Sequence, residues 1–160
     1  MNNEMLAEKV GHTLASRDLM MTAAESCTGG GVAYAVTSVP GSSAWFERGF
    51  VTYTNQSKRE MLGVARQTLM AHGAVSEATV AEMAAGALRK SDAQLSLAIS
   101  GIAGPGGATA GKPVGMVCFA WAYGEDVPHT EVKYFQGDRR AVREQSIAYG
   151  LQGVLRILDV

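Results

Sequence analysis

The spacing of apolar residues predicts several helices along the chain. Leu6, Val10 and Leu14 recur at helical spacing, which predicts a first helix over about residues 3–17. The remaining predicted helices are a segment over 32–36, one over 55–62 with Asn55 as N-cap, one over 67–72, one capped by Ser76 that ends near residue 90, and a last one capped by Asp138.

Apolar runs between these helices predict five strands. Leu19–Ala24 and Val114–Tyr123 are continuous apolar runs of the kind that form buried strands. The other predicted strands are Phe50–Thr54, Leu95–Ile99 with its alternating pattern, and Thr130–Phe135. The order of these elements, with short turns between the late strands, predicts the α/β class. We expect a single-domain α/β/α sandwich over residues 1–160 with a mixed parallel and antiparallel sheet.

Composition narrows the class of protein. The chain has 160 residues, 47% of them hydrophobic, and a net charge of −1. Proteins that bind nucleic acid or membrane surfaces usually show a basic excess, so we expect neither partner. No apolar run approaches the ~20 residues that a transmembrane helix needs, and the first residues do not resemble a signal peptide. We therefore expect a cytoplasmic protein.

The cysteines and histidines are scattered along the chain. Two cysteines and three histidines are present, and none of them follows the spacing of a metal site. This pattern argues against a zinc hydrolase, and we expect no metal.

The segment Glu25–Gly31 is the first candidate for chemistry. It joins a predicted strand to a predicted helix, and its glycines would allow a ligand to approach the backbone closely. Ser26 and Thr28 add hydroxyl groups. A capped strand-to-helix turn is the simpler alternative. Cys27 lies in the same turn, where a helix N-terminus would stabilise a thiolate, so a cysteine nucleophile is a second alternative.

Ser42 and Ser43, together with Tyr53 and Lys58, are the second candidate. A serine hydroxyl is a weak nucleophile until a base removes its proton, and a lysine can act as that base only if its pKa falls by several units. The start of the helix predicted at residue 55 would help, although by less than one pKa unit. From spacing alone, an exposed lysine and an ordinary serine turn explain these residues better.

The glycine-rich loop Ser100–Gly107 is the third candidate. It follows a predicted strand, as Glu25–Gly31 does, and ligands of open α/β sheets bind beside the carboxyl ends of strands. We therefore expect the two loops to face each other across one pocket, unless this loop is simply mobile. The three arginines 139, 140 and 143 form a basic patch that could contact a phosphate. Ordinary solvated surface charge, with Asp138 and Glu144 nearby in sequence, explains them equally well, and we leave them out of the site.

Six motifs stand out along the chain: Thr22-Ala-Ala-Glu-Ser-Cys-Thr-Gly-Gly30, Gly41-Ser-Ser43, Phe50-Val-Thr-Tyr53, Gly73-Ala-Val-Ser76, Ser100-Gly-Ile-Ala-Gly-Pro105 and Lys112-Pro-Val-Gly115. These motifs resemble the CinA C-terminal domain family, and the resemblance runs from about residue 6 to 155. Within that family, the chain resembles most the stand-alone nicotinamide-nucleotide amidases.

The resemblance implies an enzyme that converts nicotinamide mononucleotide and water to nicotinate mononucleotide and ammonia, without metal or cofactor. It implies Ser43 as nucleophile, by motif register rather than Ser42, with Lys58 as base and Tyr53 as a supporting hydroxyl. A catalytically weak or inactive nucleotide-binding member is the alternative, and a homo-oligomer is expected. The expected substrate contacts are Ser26, Thr28, Gly29, Gly30, Asn55, Gly101, Gly104, Pro105 and Gly106.

Overall fold

A five-stranded mixed sheet organises the molecule, which is described for all 160 residues by a computed structural model. The sheet has the order β2-β1-β3-β4-β5. β1 is parallel to both of its neighbours, β2 and β3, whereas β4 and β5 run antiparallel to the strands beside them. The strands are β1 Met21–Glu25, β2 Phe46–Val51, β3 Leu95–Gly101, β4 Met116–Tyr123 and β5 His129–Tyr134.

Six helices cover the two faces of the sheet, so the expected α/β/α sandwich is confirmed. α1, α2 and α6 pack on one face, and α3, α4 and α5 on the other. Their bounds are α1 Asn3–Ser16, α2 Gly31–Thr37, α3 Asn55–Leu62, α4 Arg66–His72, α5 Glu77–Arg89 and α6 Arg139–Ile157, with a single 3-10 turn at Ser42–Ala44. None of the helices has the combination of length and apolarity needed to cross a membrane.

Side chains of different size face the two layers of helices. Successive side chains in a strand point to opposite faces. Leu97 and Phe119 therefore enter the core under α1, α2 and α6, whereas Ala98 and Ala120 lie under α5. The small residues let α5 pack close to the sheet, and Ser96 donates a hydrogen bond to the carbonyl of Ala84 across this contact.

The parallel arrangement of β1, β2 and β3 brings their carboxyl ends to one edge of the sheet. The Ser26 N–H donates to the Ile99 carbonyl, and the Thr52 N–H donates to the Glu25 carbonyl, so the sheet contacts continue just past each strand. The segments that follow the three strands therefore meet at this edge. The two glycine-containing loops do face each other, as expected from the sequence.

Two elements differ from the sequence prediction. β2 covers Phe46–Val51 rather than residues 50–54, because the chain leaves the sheet after Val51 to start α3. Thr54, and not Asn55, is the N-cap of α3: its hydroxyl accepts from the Ser57 N–H, and the Ser57 hydroxyl accepts from the Thr54 N–H. This reciprocal capping box starts the helix one residue earlier than an N-cap at Asn55 would.

Candidate active site

Lys58 is a buried lysine at the carboxyl edge of the sheet. Its side chain is only 1% exposed, and its Nζ donates to Ser26 Oγ at 3.0 Å and to the Thr52 carbonyl at 2.6 Å. No carboxylate forms an ion pair with the amine. Burial without a counter-ion disfavours the charged form, and it lowers the pKa of Lys58 to about 8. A lysine in this state can accept a proton from a neighbouring hydroxyl.

Local structure accounts for the contact between Lys58 and Ser26. β1 ends at Glu25, so Ser26 is the first residue beyond the strand. The capping box at Thr54 sets the direction of α3, and Lys58 is the fourth residue of that helix. The Thr52 carbonyl, just past the end of β2, accepts one N–H of the amine. The amine is thereby held against the Ser26 hydroxyl.

The Glu25 carboxylate accepts hydrogen bonds at the N-terminus of α2. The side chain is 1% exposed and accepts from the Thr28 hydroxyl at 2.6 Å, the Val32 N–H at 2.8 Å and the Ala33 N–H at 3.0 Å. These are the donors that a helix N-terminus would otherwise offer to an anion. The turn is therefore built around an internal anion, and the Thr28 hydroxyl that the sequence assigned to the ligand is already in use.

Arg143 of α6 holds the outer side of the same turn. Its guanidinium donates to the Cys27 carbonyl at 3.1 Å and to the Thr28 carbonyl at 3.3 Å. The N–H groups of Cys27 and Thr28 donate to no carbonyl of the protein. Because C=O and N–H point in opposite directions in a trans peptide, holding the Cys27 carbonyl directs the Thr28 N–H away from Arg143.

A cavity of about 300 Å³ opens beside Ser26 and Lys58. Tyr53 and Arg139 lie at this cavity, and the Arg139 guanidinium donates to the Tyr53 hydroxyl and to the Gly104 carbonyl, each at 2.9 Å. Arg139 was dismissed as surface charge because the sequence does not show that α6 begins beside the loop after β3. Ser100, which is 1% exposed, also lines the cavity; it lies in the third candidate loop but was not among the expected substrate contacts.

The expected contact between Ser43 and Lys58 is wrong. Ser43 lies in the 3-10 turn before β2, whereas Lys58 lies beyond the end of that strand. The six residues of β2 separate the two ends by roughly 17 Å, at a rise of about 3.3 Å per residue. Ser43 is also exposed and does not line the cavity. The serine beside the lysine is Ser26, which the sequence had placed among the substrate contacts.

The other predicted site residues divide into two groups. Asn55, Gly101, Gly104 and Gly106 line the cavity together with Ser26 and Tyr53. Gly29, Gly30 and Pro105 do not line it, and neither does Thr28. Gly29 and Gly30 have φ values of 58° and 99°, so their glycines are explained by the backbone of the turn rather than by a ligand.

Cys27 is a poor candidate for the nucleophile. The residue is 5% exposed, and burial raises the pKa of its thiol to about 12. A thiol in this state carries almost no thiolate near neutral pH, and the thiolate is the reactive form. No three His, Cys, Asp or Glu side chains come together in a group that could hold a metal ion.

Comparisons with known proteins agree with this architecture. The model of the CinA C-terminal domain matches residues 3–158. The nicotinamide-nucleotide amidohydrolase PncC of Escherichia coli K12 is 54% identical over 147 residues, which are 92% of this chain and 89% of that protein. The protein of the same name from Enterobacter agglomerans is 49% identical over 151 residues, 94% of this chain and 92% of its own.

A solved structure extends the similarity to three dimensions. The competence/damage inducible protein CihA from Agrobacterium tumefaciens superposes with a TM-score of 0.95 at 42% sequence identity. The match covers 99% of this chain and 96% of the other. The fold described above is therefore shared over nearly the whole length of both chains.

Proposed function

The chain belongs to the CinA C-terminal domain family, and from that premise we propose that it hydrolyses the carboxamide of nicotinamide mononucleotide, with Ser26 as nucleophile and Lys58 as base. The relatives named nicotinamide-nucleotide amidohydrolase support the substrate and the reaction. The observation that carries the assignment of residues is the 3.0 Å contact between Ser26 Oγ and a buried Lys58 amine.

The proposed reaction begins with acyl transfer to Ser26. Neutral Lys58 takes the hydroxyl proton as Ser26 Oγ attacks the carboxamide carbon. The C–N bond then breaks, Lys58 returns the proton to the departing nitrogen, and ammonia leaves. An ester joins Ser26 to the nicotinate group at this stage. Water attacks the same carbon, Lys58 accepts its proton and passes it to the Ser26 oxygen, and nicotinate mononucleotide is released.

The carboxamide oxygen gains negative charge in each step and needs donors that are already in place. The N–H groups of Cys27 and Thr28 suit this role because they follow the nucleophile directly and have no carbonyl partner in the protein. Arg143 supports the orientation of the Thr28 N–H by binding the Cys27 carbonyl of the same peptide, and it also binds the Thr28 carbonyl. We assign Arg143 to positioning, since its guanidinium lies on the outer side of the turn.

Tyr53 has a supporting part in this proposal. Its hydroxyl accepts from Arg139 at the cavity and is not bonded to Ser26 or Lys58. Tyr53 and Asn55 line the same cavity as the two reacting side chains, together with the glycines of the loop after β3. We assign these residues to substrate contact rather than to proton transfer.

The function is tested by incubating the purified protein with nicotinamide mononucleotide. We expect ammonia and nicotinate mononucleotide in equal amounts, measured by a coupled ammonia assay and by chromatography. Lys58→Met, which replaces the amine by an apolar side chain of similar length, should release neither product. Ammonia release by Lys58→Met at the rate of the unaltered protein would contradict the proposal.

Binding without turnover is the alternative outcome. A non-catalytic family member would be stabilised by the nucleotide, with a gain in unfolding free energy that follows ligand concentration. If thermal denaturation shows this stabilisation and long incubation yields no ammonia, the chain binds the nucleotide and the proposed reaction is wrong.

A further inference from the structure

We infer that the Thr52 hydroxyl accepts a hydrogen bond from the Lys58 amine once that amine has taken the proton of Ser26, so that Thr52 is a positioning residue for the base. This inference rests on the proposed function for the step in which Lys58 becomes charged. Thr52 is 0% exposed, and its Oγ1 is the only buried side-chain nitrogen or oxygen of the chain without a hydrogen-bond partner. The same residue already binds the amine through its carbonyl.

A buried hydroxyl without a partner is unfavourable, and native proteins contain few of them. Other buried hydroxyls of the sheet are bonded: Thr22 donates to the Arg48 carbonyl, and Ser96 donates to the Ala84 carbonyl. Valine has the shape of threonine and would fill the same space without this cost. The hydroxyl of Thr52 is therefore best explained by a partner that it meets in one state of the reaction.

The charged form of Lys58 needs one more acceptor than it has. A neutral amine has two N–H groups and a lone pair, whereas an ammonium has three N–H donors. Before proton transfer, the lone pair can receive the Ser26 hydroxyl while one N–H binds the Thr52 carbonyl. After proton transfer, the Ser26 oxygen and the Thr52 carbonyl satisfy two of the three donors. An unpaired donor is more costly on a charged group than on a neutral one.

The topology places the Thr52 side chain beside the amine. Phe50 packs on the core under α3, α4 and α5, and residues two apart in a strand share a face, so Thr52 points to the face that carries Lys58. The register of β1 and β2, continued by one residue, places Thr52 next to Ser26 at the strand spacing of about 4.8 Å. The amine contacts both residues, so it lies on the Thr52 side of Ser26 and away from Ser100 on β3. Threonine has several staggered rotamers, and the hydroxyl can turn without movement of the backbone.

The charged groups around the amine leave this role to a neutral acceptor. Cys27, Tyr53 and Arg139 are the other titratable side chains that line the cavity, and no carboxylate lines it. The acidic side chains of α5, which packs against α3, are bonded elsewhere: Glu77 to a hydroxyl of β5 and Glu82 to the start of α4. The ammonium formed during the reaction therefore depends on carbonyl and hydroxyl oxygens.

Thr52→Val tests the inference because it removes the hydroxyl and keeps the shape. We expect kcat for ammonia release to fall about tenfold, as for a lost hydrogen bond to a charged group. KM should change by less than about threefold, since Thr52 does not line the cavity. Thr52→Ser keeps the hydroxyl and should retain most of kcat. Thr22→Val is the matched control, because Thr22 is equally buried at the other end of β1, and its kcat should be normal.

The pKa of Lys58 provides a measurement that needs no turnover. The Lys58 Cε, labelled with carbon-13, is followed by NMR as the pH is raised without substrate, and its signal is identified by its absence in Lys58→Met. Loss of an acceptor for the ammonium disfavours the charged form, so Thr52→Val should move the midpoint down by about one pH unit, the equivalent of a tenfold effect. The midpoints of Thr52→Ser and Thr22→Val should match that of the unaltered protein.

The outcomes separate this inference from the proposed reaction. An unchanged midpoint in Thr52→Val would show that the hydroxyl is no acceptor for Lys58, and an unchanged kcat would contradict its part in catalysis. If the midpoint falls while the unaltered protein releases no ammonia, the contact with Lys58 stands and the proposed reaction is wrong. Circular dichroism checks the fold of each variant, and Thr52→Ala, which also lacks the hydroxyl, replaces Thr52→Val if that variant is unfolded.

Discussion

The amine of Lys58 lies in the protein interior, where lysines are seldom found. Lysine is almost never fully buried unless it is paired with an opposite charge, and no carboxylate pairs with Lys58. The carboxylate of the turn, Glu25, is instead bonded to Thr28 and to the start of α2. The protein thus carries a destabilising lysine whose main chemical effect is a lowered pKa.

The lowered pKa predicts how activity depends on pH. The reactive form is the neutral amine, so kcat/KM for nicotinamide mononucleotide should rise with pH and level off above about 8, the pKa of Lys58. Initial rates of ammonia release at subsaturating substrate, from pH 6 to 9.5, would measure this. A rate that falls over that range, or that has no inflection in it, would argue against Lys58 as the base.

Single residues also show where sequence reasoning succeeded and where it failed. Lys58 was identified as a candidate base, but spacing alone favoured an exposed lysine, because burial depends on α3 packing over the ends of β1 and β2. Ser26 was recognised as part of a site, but as a substrate contact and not as the serine beside Lys58. Ser26 and Lys58 are 32 positions apart in sequence, so no local pattern reveals that their side chains are in contact.

The turn between β1 and α2 is the element that organises the candidate site. The Glu25 carboxylate accepts hydrogen bonds from the N–H groups at the start of α2, and the Arg143 guanidinium binds two carbonyls of the turn. The glycine-rich sequence correctly predicted an unusual turn, and a cavity lies beside it. It did not predict that the anion at the helix N-terminus belongs to the protein, because a glutamate before such a turn can equally face a ligand.

Arg143 should influence turnover more than substrate affinity. If it positions the Thr28 N–H for the transition state, Arg143→Met should lower kcat at least tenfold and change KM by less than about threefold. Arg143→Lys should recover part of kcat, since a lysine can still bind one carbonyl. Steady-state kinetics on ammonia release would measure both values. An unchanged kcat in Arg143→Met would contradict the positioning role that we assign to Arg143.

Most elements of the sheet and helices were predicted from their patterns. The Ser76 and Asp138 caps are confirmed, as each side chain accepts a backbone N–H of the helix that follows it. β2 was misplaced because it is a half-exposed edge strand whose first residues include Glu47, Arg48 and Gly49. Such a strand lacks the apolar alternation that marks a strand packed on one face.

At the scale of the whole molecule, the topology decides which serine can meet the lysine. In a parallel arrangement, the residues after β1, β2 and β3 share one edge of the sheet, and the residues before them share the other. Ser26 follows β1, Lys58 follows β2, and Ser43 precedes β2. The motifs correctly indicated the family, but their order along the chain does not show at which edge of the sheet each motif lies. Strand direction was the missing physical constraint.

The close packing of α5 against α3 should affect the candidate site at a distance. A Cβ at Gly86 would lie 1.9 Å from the Leu62 carbonyl oxygen at the end of α3, so Gly86→Ala must displace the helix that carries Lys58. We expect a lower melting temperature and, well below it, a loss of kcat of tenfold or more. Thermal denaturation and ammonia release at 20–25 °C would measure the two effects.

Gly11→Ala is the matched control for this variant. A Cβ at Gly11 would lie 2.3 Å from the Trp45 side chain, so the substitution also destabilises the protein, but on the opposite face of the sheet from α3. Its kcat should stay near that of the unaltered protein below the melting temperature. Equal losses of kcat in Gly11→Ala and Gly86→Ala would indicate a general effect of instability.

The most direct test of the account compares two serine substitutions in one assay. Ammonia release from nicotinamide mononucleotide is measured for Ser26→Ala and Ser43→Ala at equal concentration, with circular dichroism to confirm folding. We predict that Ser26→Ala lowers kcat by roughly 10³-fold or more, as expected for loss of a nucleophile, and that Ser43→Ala stays within about twofold of the unaltered protein. An inactive Ser43→Ala beside an active Ser26→Ala would contradict the account.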